Sequence, residues 1–205
     1  MKQDYEKMRI ALRAWLSGKE YFTALRAMEY AERYHTGTRK DGSPEFSHQV
    51  SIAMYAKTLT GNLPYEEILL CVIFLHDVLE DFDEVRYEDL VKEFGVEIAD
   101  LVRLMSKVEG DKKYTNEEYY ANLRTSPITS LAKGLDRVHN LMTMLDGFSP
   151  EKQVSYIVET LNYTVPMLKE GRRQYPENEH IYENMKFVMT NQVRLYNALN
   201  KEYVN

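Results

Sequence analysis

The chain has 205 residues, 44% of them hydrophobic, with 32 acidic side chains against 26 Lys and Arg for a formal charge of −6. That length fits one domain with a sizeable core, and nine Gly with six Pro are too few for a disordered, collagen-like or low-complexity chain. The acid excess argues against nucleic acid or an anionic membrane surface as the main partner, and the single Cys71 rules out an internal disulfide, so a reducing, cytoplasmic setting is expected.

Apolar residues recur at helical spacing along nearly the whole chain, while the strict alternation of a half-buried strand is almost absent. The pattern predicts an all-α, single-domain bundle of about ten helices spanning residues 1–205. The opening residues, Met1 to Lys7, are too polar for a signal peptide. Helices are predicted over 4–17 and 20–35, followed by a long loop from Thr36 to Pro44 that holds two glycines and the adjacent cations Arg39 and Lys40. Loops of this kind tend to carry function because a rigid scaffold positions them. A helix over 48–60 is closed by Gly61-Asn62, and Pro64 opens the next, over 65–79. Its apolar run from Ile68 to Leu75 is eight residues, well short of the ~20 needed to span a bilayer. Further helices are predicted over 87–93, 95–108, 115–124, 127–146, 150–170 and 178–200. Two of these are announced by Ser126-Pro127 and Ser149-Pro150, an N-cap followed by proline in the first helical turn.

The segment His76-Asp77-Val78-Leu79-Glu80-Asp81 places four titratable groups where the apolar run ends. On one continuous helix, His76 and Asp77 would occupy neighbouring positions about one ion, with Glu80 and Asp81 one turn beyond. The plain alternative is a helix end reaching solvent. It is weakened because acids at a helix carboxyl end oppose the macrodipole unless a cation compensates. A second cluster, Lys133 to Asn140, sets Asp136 and Asn140 one turn apart, so one could ligate a metal while the other touches what the metal binds; a polar stripe is the alternative. His48, directly after the basic loop, would ordinarily be a capping or surface histidine. Together His48, His76, Asp77 and Asp136 supply two nitrogen and two oxygen ligands, a set better suited to manganese, iron or zinc than to calcium.

The order of these ligands, His then His-Asp then Asp, resembles the HD phosphohydrolase superfamily, and three longer motifs resemble the hydrolase domain of the RelA/SpoT alarmone enzymes, in particular the small stand-alone hydrolases. They are His35-Thr36-Gly37-Thr38-Arg39 continuing through Gly42, Pro44 and His48; His76-Asp77 with Glu80-Asp81; and Lys133 followed by Asp136-Arg137-Val138-His139-Asn140 and Thr143. The match covers about 21–168 and departs from the family pattern at Glu45, Gln49, Phe82, Gly134 and Met142. The resemblance implies a metal-dependent enzyme that removes the 3′-pyrophosphate of (p)ppGpp to give GDP or GTP. It implies that His48, His76, Asp77 and Asp136 bind one divalent ion, with manganese expected, and that Glu80 and Asp81 act in proton transfer. Arg39, Lys40, Asn140 and Thr143 would contact the nucleotide. Glu45 and the missing arginine at Met142 leave the base, guanine or adenine, open. Alternatives are an HD phosphohydrolase acting on ppApp, NADPH, a deoxynucleotide or a nucleoside monophosphate, and a catalytically silent nucleotide sensor. The terminal helices flanking the match are candidates for a homo-oligomer interface.

Overall fold

The computed structural model describes residues 4–40, 42–61, 63–110 and 112–200. The first residues of the polar opening, Asp41 of the basic loop and Asn62 of the predicted Gly61-Asn62 stop lie outside these. Among the described residues the regular secondary structure is helical apart from one short hairpin and a single bridge within the loop after α2. The helices are α1 (Tyr5–Gly18), α2 (Phe22–Tyr34), α3 (Ser47–Leu59), α4 (Glu66–Leu75), α5 (Val78–Asp81), α6 (Tyr87–Phe94), α7 (Val96–Met105), α8 (Asn116–Leu123), α9 (Pro127–Gly147), α10 (Pro150–Glu159), α11 (Val165–Gln174) and α12 (Glu179–Leu199). Because α5 is a single turn and α10 continues into α11, these amount to the ten helices expected. No helix is long and apolar enough to cross a membrane among the described residues.

Helix α4 is the centre of the molecule. Every side chain from Leu69 to Leu75 is buried, as an all-round apolar helix requires, and α2, α3, α7 and α9 pack around it. The long helix α9 begins where the Ser-Pro signal places it, with Ser126 Oγ accepting from Ile128 N. It runs from α4 to α12, and the close approach to α12 depends on a glycine. A Cβ on Gly134 would meet Met185 Sδ at 2.6 Å and Leu168 Cδ2 at 3.0 Å, so a branched side chain such as leucine would not fit here between the helices.

Three predicted helices end or bend differently. The helix over 65–79 breaks at His76-Asp77, where His76 caps α4 and Asp77 precedes α5. Asp77 therefore stands at the amino end of a new turn rather than within an old one, while Glu80 and Asp81 are the last residues of that single turn. The helix over 95–108 stops at Met105, and Val108–Glu109 pairs antiparallel with Lys112–Lys113 about a turn that needs Gly110 at φ +56°. The helix over 150–170 continues to Gln174 through a π turn at Thr160–Thr164. Pro166 lies in the next turn and has no N–H to donate, and widening the preceding turn accommodates it.

Candidate active site

The break between α4 and α5, the start of α3 and the middle of α9 converge on one cleft of about 500 Å³. Ligand atoms of His48, His76 and Asp136 all lie within 4.8 Å of one another, and all three residues are buried. His48 Nε2 is 3.2 Å from Asp136 Oδ1, and His76 Nε2 is 3.8 Å from the same oxygen. Asp77 Oδ2 is 3.0 Å from His76 Nε2 and is the most open of the four, its side chain 34% exposed. Three separate segments of chain thus bring three of the four predicted ligands into one group, while Asp77, beside His76, groups by the same distance with His35 and Asp81.

Three of the four are held from behind. His76 Nδ1 donates to Ile73 O at 2.8 Å, the hydrogen bond that closes α4. His48 Nδ1 lies 2.8 Å from His139 Nδ1. Asp136 accepts from Lys133 Nζ at 2.8 Å through Oδ2 and from Asn140 Nδ2 at 2.5 Å through Oδ1. Asn140 therefore orients the carboxylate one turn before it, and Thr143 Oγ1 is spent on His139 O within the same helix. Both residues line the cleft.

The electrostatics call for a cation. Burial disfavours charge on Asp136, yet Lys133 and the two imidazoles hold its carboxyl well below the usual range. Burial would lower His76, but the carboxylates of Asp77 and Asp136 outweigh it and push the imidazole up to about 9, so the ring captures a proton where positive charge is wanted. Burial keeps His48 lowered despite Asp136, and burial with His48 and Arg39 nearby drives His139 down to about 3. His76 Nε2 is buried and makes no hydrogen bond, because Asp77 approaches it without hydrogen-bond geometry. An orphaned imidazole nitrogen among a second imidazole and two carboxylates fits a divalent ion.

Glu80 and Asp81 line the same cleft. Glu80 Oε2 accepts from Lys107 N at 3.0 Å, which ties α5 to the segment after α7. Burial together with Asp77 and Glu80 pushes the Asp81 carboxyl up to about 6. Arg39 and Lys40 reach the cleft from the basic loop, which is closed by a Thr38–Pro44 bridge and by Arg39 N donating to Ser43 O at 2.9 Å. Glu45 turns back on that loop and accepts from Gly37 N at 3.1 Å. The acid that stands where the family has an aromatic residue is therefore engaged by the loop backbone. Gln49 and Phe82, two other departures, pack on His35: Gln49 Nε2 is 2.9 Å from His35 Nε2, and the Phe82 ring meets the imidazole edge-on at 4.8 Å.

Several cleft residues were not singled out from the sequence. Lys107, Lys152, Tyr156 and Glu159 line it. Buried Arg137 lies 3.8 Å from the centre of the Tyr156 ring and donates to Glu159 Oε1 at 2.6 Å, and Lys107 Nζ reaches the same oxygen at 3.0 Å. Lys107 carried no signal, because it reaches the cleft only through the turn that ends α7.

The HD domain family model matches residues 27–163, which includes all four ligands. The chain belongs to the HD domain family, whose members imply a divalent metal. Among the curated relatives, a probable guanosine-3′,5′-bis(diphosphate) 3′-pyrophosphohydrolase of Synechocystis is 33% identical over 137 residues, which is 63% of this chain and 17% of that protein. The bifunctional (p)ppGpp synthase/hydrolase SpoT of Escherichia coli K12 is 28% identical over 172 residues, 80% of this chain and 24% of that one. The chain thus spans about a fifth of the length of the curated relatives it matches. A solved structure, described as a metazoan ortholog of SpoT that hydrolyses ppGpp and plays a role in starvation responses, superposes with TM-score 0.66 at 21% identity. It covers 85% of this chain and 95% of its own, which establishes the shared fold.

Proposed function

We propose that this HD domain hydrolyses the alarmone (p)ppGpp, releasing pyrophosphate from the ribose 3′ oxygen and leaving GDP or GTP. The observation that carries the proposal is the buried His48–His76–Asp136 cluster, with Asp77 beside it, in a cleft whose walls also hold the basic loop. Two of the sequence relatives are named for this reaction or its enzyme class. His48, His76, Asp77 and Asp136 would hold one divalent ion; their mixed imidazole and carboxylate set suits manganese, iron or zinc, and the family resemblance favours manganese. Such an ion, when bound, supplies a water of lowered pKa and polarises a phosphoryl oxygen. Glu80 and Asp81 line the same cleft and would be the groups to orient a water there and accept its proton; Lys107 N holds Glu80 in place. Arg39 offers a planar guanidinium for the base or a phosphate, and Lys40 a point charge. Asn140 and Thr143 form the wall facing the ribose, and Lys107 and Lys152 add positive charge for the remaining phosphates.

The test is product separation after the purified chain is incubated with ppGpp, pppGpp, ppApp and NADPH in manganese, with and without chelator. Pyrophosphate with GDP or GTP, lost on chelation, is the expected result. Orthophosphate from NADPH alone would assign the cleft to a different HD phosphohydrolase. Tight binding of intact ppGpp without turnover would make the protein a sensor.

A further inference from the structure

Both imidazoles of the cluster turn Nε2 inward and Nδ1 outward, but they are backed by different groups. Behind His76 stands Ile73 O at 2.8 Å, a carbonyl that can only accept, so a neutral His76 keeps its proton on Nδ1 and offers Nε2 as a lone pair. Behind His48 stands another imidazole, with Nδ1 to Nδ1 at 2.8 Å and the rings 4.7 Å apart at 66°. A hydrogen bond between two imidazole nitrogens holds one proton, and which ring carries it is set by both tautomers. With the proton on His48 Nδ1, His48 Nε2 is a free lone pair directed at the cluster. With the proton on His139 Nδ1, a neutral His48 carries its own proton on Nε2. That N–H would donate to Asp136 Oδ1, 3.2 Å away, and both a ligand nitrogen and a ligand oxygen would be lost to a cation.

We propose that His139 is a positioning residue: by accepting the His48 Nδ1 proton on its own Nδ1, it commits His48 Nε2 to the metal. This rests on the metal assignment above. His139 is not among the residues lining the cleft, so it acts through His48 and not on substrate. It sits one turn before Thr143, whose hydroxyl donates to His139 O, and one residue before Asn140, which holds Asp136. A single stretch of α9 therefore supplies one ligand, Asp136, together with the groups that orient it and His48.

Two measurements test the assignment. The first is manganese affinity by chelator competition for the wild type, His139→Phe and His139→Asn, with far-ultraviolet circular dichroism of the stripped proteins as the folding control. His139→Phe keeps a ring and loses the acceptor, and it should bind manganese about 10–100-fold more weakly, with turnover recovered at high manganese. His139→Asn retains an acceptor oxygen near the Nδ1 position and should bind close to the wild type. Unchanged affinity in His139→Phe, or an equal loss in both variants, overturns the proposal. The second needs no variant: nitrogen-15 histidine spectra of the zinc-loaded wild type should show His139 protonated on Nε2 and bare on Nδ1. A proton on His139 Nδ1 overturns the proposal. A wild type that binds no cation would instead overturn the metal assignment, and the positioning role with it.

Discussion

At the scale of single residues, the proposed cation ligands and the proposed proton-transfer groups are different side chains, and substitutions should separate their effects. Asp77→Asn and His76→Ala each remove a ligand from a set of four. Both should abolish metal-dependent pyrophosphate release while leaving the helical circular-dichroism spectrum intact; full activity in either would displace that residue from the site. Glu80→Gln keeps an oxygen that can accept from Lys107 N, so the anchor between α5 and the segment after α7 survives. That variant should retain manganese and lose turnover by roughly 10²–10⁴-fold, the usual contribution of general acid–base catalysis. A rate equal to the wild type would move the proton-transfer role to Asp81 or to another group. These residues were legible in the sequence because their chemistry is compressed into short segments: His76, Asp77, Glu80 and Asp81 within six positions, Asp136 and Asn140 one turn apart. What was not legible is how they are held. Lys133 was visible beside Asp136, yet only its near-burial shows that it is an ion-pair partner. The contact between His48 and His139 joins residues 91 positions apart, and no local pattern announces it.

At the scale of elements, α9 and α10 meet at a buried ion pair that makes stability depend on acid. Burial alone would raise the Glu159 carboxyl, but the Arg137 guanidinium and the Lys107 ammonium outweigh it and hold the group down to about 2. A carboxyl whose folded value lies below its unfolded one stabilises the fold above the unfolded value near 4.5, and that contribution is lost as pH falls through 2. The thermal stability of the wild type should therefore fall as pH drops through that window, and Glu159→Gln should flatten the dependence. At neutral pH the same variant leaves Arg137, only 1% exposed, without its counter-charge. It should cost about 3 kcal/mol in a denaturant titration; a loss below ~1 kcal/mol would mean that Tyr156 and Tyr120 suffice to hold the guanidinium. A second element-scale prediction concerns Gly134. Gly134→Ala presses its methyl on the flexible end of Met185 and gains helix propensity, so the two effects should nearly cancel. Gly134→Leu has no such room and should cost about 1–3 kcal/mol by overpacking. Equal stability of the two variants would show that α12 can withdraw from α9. The helices themselves could be read from periodicity and from Ser-Pro starts, but their breaks could not. The stop at His76 depends on a side chain bonding Ile73 O, the hairpin after α7 on a glycine at positive φ, and the π turn on a proline two residues past its end. All three override a pattern that continues through them.

Across the whole molecule, the arrangement is an apolar α4 whose carboxyl end is the floor of the cleft. Wrapping α2, α3, α7 and α9 around that helix brings His48 and Asp136 to the point where the core stops. The negative charge of the chain acquires a place in this picture. Without Asp77, Glu80, Asp81 and Asp136, the 32 acids become 28 against 26 Lys and Arg, so most of the excess lies in the cleft of the proposed cation site. The positive charge for a polyphosphate is local as well, carried by Arg39 and Lys40 on the loop and by Lys107 and Lys152 on the opposite segments. The central claim is that this cluster holds one divalent ion on which pyrophosphate release from ppGpp depends. The most direct measurement is the rate of that release as manganese is titrated into chelator-stripped protein. The rate should rise from zero and saturate at one manganese per chain, with GDP as the nucleotide product. Pyrophosphate release that is indifferent to chelator, or none at any manganese concentration, would contradict the account.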